Sequence, residues 1–454
     1  MHTPSRIFVS IASYRDAELI PTLLDLIRQA TNPQALNIAV CWQDDADPEI
    51  FSLTGFHPCS ADSTRSETTL SFIFGGARIT LLPCHYFSAR GTGWARHRCE
   101  SLYAGEEYFL QIDAHSRFIC GWDQEMISLL EQLSQQSRLP ILSAYPPAYR
   151  PVSDEQPGRD TTVSRLIFRK FSSSGLPETS GRAFSATQPV RGSYLAGGFI
   201  FSYGSFVRDV PNDPLIFFSG EEISMAVRAF THGYDIYHPH KVLLWHYYQR
   251  QESPKVWQDH TDEACQRGDV PVSWWQRDQL SKQRVSALLG LSTPTEAFAD
   301  YGPGSLRTVR EYQYQCGVDF QKRLTLPAVT AEDPQAYFAE LPENDDAWQA
   351  QFSSDYRQQI TVTAADVFPA EQEYQFFQLA VFDEQNRLLF KTELSPAQLL
   401  LPDNPPVQLS VTFRGETARP PEFIRLCGWQ PLAGWGPVTE FRWQKDNRTR
   451  KALC

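Results

Sequence analysis

The chain has 454 residues, 42% hydrophobic and 21% charged, and carries a formal net charge of −12. That length exceeds one typical core and predicts two or three globular domains, while the acidic balance, with no basic stripe to neutralise phosphates, argues against a nucleic-acid binder or a polybasic membrane anchor. Nine cysteines are scattered without a CxxC pair, so neither a disulfide framework nor a structural zinc site is expected, and a reducing, cytoplasmic setting is.

"RIFVSIASYRD" opens the ordered chain as a buried-type strand over Ile7–Ala12, too close to the start to leave room for a signal peptide, and no apolar run of membrane-spanning length follows. "ELIPTLLDLIRQA" places Leu19, Leu23, Leu24 and Ile27 at helical spacing, with Pro21 early enough for a first turn. "LNIAVCWQDD" and "ARITLLP" are two further strands, "GTGWARHRCESLYAG" forms a helix after its glycines, and "EYFLQIDAH" is a fourth strand. Strands that are apolar throughout, alternating with helices, predict an α/β fold with a mostly parallel sheet covered on both faces. Ligands bind such sheets beyond the C-terminal strand ends. Here those ends read Ser13-Tyr14-Arg15-Asp16, Gln43-Asp44-Asp45 and Asp113-Ala114-His115, which should share one rim.

Residues i and i+2 of an extended segment point to the same side, so Asp113 and His115 can converge on one ion. A hard oxygen beside an imidazole suits Mn²⁺ or a similar divalent cation better than calcium. The plainer reading makes Asp113 a turn cap and His115 a surface residue. Further along, "VRGSYLAGGFIFSYGSF" carries Gly197 and Gly198, which would let another group approach the backbone, or simply bend it. "GEEISMAVRAFTHG" reads as a helix with Glu221 and Glu222 at its N-terminal end, where carboxylates also serve as ordinary dipole partners. Among the crowded histidines His232, His238, His240, His246 and His260, His246 sits in the apolar strand "KVLLWHYY" and is the best third ligand.

The polar segment 151–190 is a long loop, a candidate lid or recognition element if it is not simply unstructured. Residues 1–325 are expected to form the α/β domain, 326–355 a linker with a short helix, and 356–454 a small antiparallel β-sandwich-like domain with a hairpin near Glu384–Arg387. Trp429, Trp435 and Trp443 there could stack on carbohydrate, although core packing is the plainer role, and this domain could also mediate self-association.

Taken together, "IFVSIASYRDAELIPTLLDLI", "ARGTGWARHRCESLYAGEEYFLQIDAHSRF", "LAGGFIFS", "GEEISMAVRAFTHGYDIYHP" and "YGPGSLRTVREYQYQCGVDF" resemble the GT-A-fold nucleotide-sugar transferases. The nearer resemblance is to the GlcNAc-transferase family typified by the cytoplasmic enzyme that modifies hydroxyproline on a ubiquitin-ligase adaptor. The resemblance implies a GT-A, Rossmann-like catalytic domain using UDP-GlcNAc as donor and a divalent cation, Mn²⁺ or Mg²⁺. It implies that Ser13, Tyr14, Arg15, Asp16 and Asp44 hold the uridine end and that Arg90 and Arg96 lie near the diphosphate. Asp113, His115 and His246 would ligate the cation, and Glu221 and Glu222 would face acceptor and sugar. The implied linkage is α, with retention, to a hydroxyl of a protein or polysaccharide acceptor. A silent carbohydrate-binding or scaffold homologue of the same fold is the alternative.

Overall fold

In the computed structural model, apolar runs bury most of both faces of the strands Ile7–Tyr14, Leu36–Gln43 and Tyr108–Asp113, and the described residues are 6–60, 68–151, 158–363, 374–399, 405–416 and 419–444. The chain divides into one unit of residues 1–323 with 328–341 and a second of residues 324–327 with 342–454.

The first unit begins with β1 (Ile7–Tyr14), α1 (Leu19–Gln29) and β2 (Leu36–Gln43), then a short antiparallel pair, β3 (His57–Cys59) and β4 (Leu70–Phe74). Next come β5 (Ala77–Cys84), α2 (Thr92–Glu100), β6 (Tyr108–Asp113), β7 (Ser116–Phe118), α3 (Trp122–Ser134) and β8 (Pro140–Ser143). They are followed by β9 (Ser164–Phe171), β10 (Pro177–Ala183), β11 (Val190–Arg191), β12 (Phe199–Tyr203), α4 (Glu221–Thr231), β13 (Asp235–His238) and β14 (Leu244–His246). Ten strands form one sheet in the order β11-β13-β8-β12-β6-β1-β2-β5-β4-β3. β6, β1, β2 and β5 are parallel neighbours, so their C-terminal ends do share one rim. The sheet is mixed rather than mostly parallel, because the glycine-rich segment supplies β12, which runs antiparallel to both β6 and β8. Ile7, Val9 and Ile11 of β1, Ile38 and Val40 of β2 and Leu110 and Ile112 of β6 meet Leu19, Leu23, Leu26 and Ile27 of α1 in a continuous core.

The 151–190 stretch is largely a hairpin, with β9 and β10 paired antiparallel and a bulge at Glu178/Thr179; its residues 152–157 lie outside the described residues. β7 pairs with β14, setting His246 opposite Ser116.

In the second unit, Ser353–Val362 pairs antiparallel with Val407–Glu416. A separate sheet runs in the order Leu388–Leu394, Phe376–Asp383, Pro421–Gln430, Gly434–Arg442. Ile360, Val411 and Phe413 from the first sheet and Phe377, Leu379, Val381, Ile424 and Leu426 from the second close on Trp443 in one core. The segment "QQITVTAADVF", which reads as a strand over residues 358–368, is described only as far as residue 363. The Glu384–Arg387 turn is held by Asp383, which accepts from the Gln385 and Arg387 amides. The fold class is therefore α/β with a β-rich C-terminal unit. Among the described residues no helix is long and apolar enough to cross a membrane.

Candidate active site

β6 ends on Asp113 and the chain turns at once into β7, carrying His115 in the bend. Thr22 of α1 pins that bend: its hydroxyl donates to the Ala114 carbonyl at 2.9 Å and accepts from the Ser116 amide at 3.0 Å. The β7–β14 ribbon then delivers His246, whose Nε2 lies 3.1 Å from Asp113 Oδ2. His115 Nε2 lies 4.0 Å from the same oxygen. One donor atom from each of Asp113, His115 and His246 falls within 4.8 Å of the others. The set offers one carboxylate oxygen and two imidazole nitrogens, a mixture that fits a divalent transition ion. Burial works against the Asp113 charge, but the hydrogen bond from His246, the Arg96 charge and the two imidazoles outweigh it and hold the carboxyl well below its usual range. Three other histidines of the crowded stretch are engaged elsewhere, His232 on the Arg228 carbonyl, His238 on the Ser143 carbonyl and His260 on the Tyr86 carbonyl, and His240 is not on the wall of the cavity these groups line.

Glu221 and Glu222 open α4 behind Gly220, yet neither caps the helix. Glu221 receives the buried Arg96 guanidinium at 2.5 Å, and the same guanidinium reaches Asp113 at 3.1 Å. Glu222 accepts from the Tyr145 hydroxyl at 2.6 Å and from the Gly197 amide at 3.0 Å. Gly197 and Gly198 make room for these acids. A Cβ on Gly197 would stand 2.5 Å from Glu221 Oε2, and one on Gly198 2.7 Å from Asp113 Oδ2.

Burial, reinforced by the charge of Glu221, pushes the Glu222 carboxyl up to about 7 against its two hydrogen bonds. A carboxyl raised on folding stabilises the fold below its unfolded pKa of about 4.3, and that contribution is lost as pH rises through about 7. Glu222→Gln matches the hydrogen-bonding capacity of the protonated carboxyl and escapes the charge penalty where Glu222 would ionise. Its Tm relative to the parent is therefore expected to climb by a few degrees between pH 5.5 and 8. A difference that stays flat over that range in melting curves would count against a buried, proton-holding Glu222.

These groups line a cavity of about 770 Å³ at the strand-end rim. Tyr14, Asp16, Arg96, Gly197 and Gly198 are on its wall with both glutamates and all three candidate ligands. Ser13, Arg15, Asp44 and Arg90 are not. Ser13 is buried, with its carbonyl taken by the Gln43 side chain. Arg15 pairs with Asp259 at 3.0 Å and lies over the Tyr86 ring. Asp44 accepts from its own loop amides of Asp45 and Ala46, and Arg90 is exposed near Trp94. The wall also holds Tyr145, Glu178, Thr179, Arg250 and Lys255, which the sequence reading did not single out. The signal available for the last two was a pair of cations in the polar loop directly after the His246 strand. With Glu222 holding its proton, four wall carboxylates (Asp16, Asp113, Glu178, Glu221) still face three wall cations (Arg96, Arg250, Lys255), a balance that would repel an anionic ligand without an added cation.

The family described as Glycosyltransferase (GlcNAc) matches residues 6–322. No curated protein matches the chain at a significant level. Among solved structures, a crystal structure of GalNAc-T7 with UDP, GalNAc and Mn²⁺ is similar at 12% identity and a TM-score of 0.43, over 66% of this chain and 56% of that chain. The chain thus spans a little over half the length of that protein. S. aureus TarS 1–349 is similar at 11% identity and a TM-score of 0.33, over 65% of this chain and 80% of that one. A second S. aureus TarS structure is similar at 10% identity and a TM-score of 0.35, over 96% and 77%.

Proposed function

The chain belongs to the GlcNAc glycosyltransferase family, and on that premise we propose that it is a divalent-cation-dependent, retaining transferase. It moves GlcNAc from UDP-GlcNAc to a hydroxyl of a protein of the hydroxyproline type or of a glycan. The observation that carries the reading is the convergence of Asp113, His115 and His246 on the wall of the rim cavity, beside Glu221 and Glu222.

Asp113, His115 and His246 would hold the cation, Mn²⁺ before Mg²⁺ given the two imidazoles. When bound, such a cation offsets the charge that develops on a departing diphosphate. Arg250 and Lys255, on the loop after β14, add positive charge on the same wall. Glu222 is better suited to hold a sugar hydroxyl than to attack carbon, because both its oxygens already accept a hydrogen bond that fixes the carboxylate plane. Tyr145 in turn bonds Thr179, tying Glu222 to the β9–β10 hairpin, which supplies Pro177, Glu178 and Thr179 to the wall and would contact the acceptor. The scattered cysteines, with no CxxC pair, support a cytoplasmic setting.

The test is UDP release and thermal shift with a panel of UDP-sugars, with Mn²⁺, with Mg²⁺ and with chelator. A cation-dependent response selective for UDP-GlcNAc is expected. No response to any UDP-sugar with metal present would replace the proposal by a silent homologue.

A further inference from the structure

Asp16 stands at the rim with its side chain almost wholly enclosed, and its contacts are not those of a residue reaching for a nucleotide base. Oδ1 accepts the Glu18 amide at the start of α1, at 3.0 Å. Oδ2 faces His115 Nδ1 at 2.8 Å and the Arg250 guanidinium at 2.7 Å. An ionised carboxylate only accepts hydrogen bonds, so the proton between Asp16 and His115 belongs to Nδ1. That leaves the lone pair on Nε2, the atom that faces Asp113. Arg250 Nη1, 3.3 Å from His115 Nε2, supports the same tautomer, since a guanidinium donates only to an atom with a lone pair, and a bound cation would take that lone pair in place of Arg250. His246 differs, because its Nδ1 is buried with no hydrogen-bond partner.

We infer that Asp16 is a positioning residue for the cation site: it locks His115 in the Nδ1–H tautomer and fixes the ring so that Nε2 is presented as a ligand. A carboxylate behind a ligating imidazole in this way both orients it and raises its basicity. Arg250 compensates the Asp16 charge, and because Gln251, Pro254 and Lys255 of its own loop line the cavity, the ligand and the cavity loop share one carboxylate. The inference rests on the reading of Asp113, His115 and His246 as cation ligands.

The test uses the full chain. Mn²⁺ binding in the presence of UDP is measured by calorimetry and electron paramagnetic resonance for the parent, Asp16→Ala and Asp16→Asn. In parallel, the ¹⁵N shifts of His115 report its tautomer in metal-free protein. Asp16→Ala should weaken Mn²⁺ about 10–100-fold. Asp16→Asn, which keeps an acceptor oxygen for Nδ1–H, should recover most of that loss. His115 should be Nδ1–H in the parent and shift toward Nε2–H in Asp16→Ala. A parent that binds Mn²⁺ while Asp16→Ala binds it as tightly overturns the inference and leaves the metal site standing. A parent that binds neither Mn²⁺ nor Mg²⁺ overturns the metal site and the inference with it. Should Asp16→Ala fail to fold for want of the Glu18 bond, an Nε2–H tautomer in the parent would overturn the inference by itself.

Discussion

Asp113→Ala is expected to lower sugar transfer by on the order of a thousandfold or more while the protein still melts within a few degrees of the parent. The size follows from the position. Asp113 is the only carboxylate in the three-residue cluster, so its loss removes the hard, charged ligand and leaves two neutral imidazoles. A cation that supplies several kcal/mol of charge stabilisation, at 1.36 kcal/mol per tenfold, accounts for the loss. The fold should survive because the Asp113 carboxylate opens onto the cavity and its partner Arg96 keeps Glu221. The check is calorimetry of UDP with Mn²⁺ beside a melting curve. Tight UDP·Mn²⁺ binding by a folded Asp113→Ala would show that the ligands are misassigned.

The parallel strands β1, β2, β5 and β6 and their polar rim were legible because strands with mostly buried faces carry unbroken apolar runs, as in "IFVSIA" and "YFLQI", whereas the short antiparallel pair β3–β4 was not. The direction of β12 was not, since an apolar strand between two neighbours looks the same whichever way it runs. His246 could be preferred for its apolar surroundings, but what brings it to Asp113 is the pairing of β14 with β7, a long-range register no local pattern encodes. The same limit hid Tyr145 and the Gly197 amide, which decide how Glu222 is held. It also hid the geometry of Asp16, for which the resemblance implies a uridine contact and whose side chain meets His115 and Arg250. Trp429, Trp435 and Trp443 separated for a comparable reason. Trp443 enters the core, whereas a bulge near Cys427/Trp429 sets Trp429 opposite the half-exposed Trp435, with Phe376 stacked beside it.

Arg96→Leu should be the most destabilising change at this site. The guanidinium is almost completely enclosed and uses separate nitrogens for Glu221 and Asp113. Removing it leaves two carboxylates facing each other without a counter-charge, and losing one partner of a buried pair costs about 3–5 kcal/mol. Arg96→Lys should recover only part of this, because a single ammonium cannot reproduce a planar fork that spans two acids. Adding Glu221→Gln to Arg96→Leu should restore stability, since the neutral amide removes the repulsion that the first change exposed. The two changes should then be coupled by about 1–3 kcal/mol in a double-mutant cycle read from urea midpoints. Simple additivity would mean that Arg96 and Glu221 do not act as one unit. The room for that unit comes from Gly197, where a Cβ would stand 2.8 Å from the Arg96 guanidinium. The rim of the sheet thus holds Asp113 ionised through a buried arginine whose own charge is balanced by the first acid of α4, which keeps a hard oxygen ligand available in a wall otherwise dominated by negative charge.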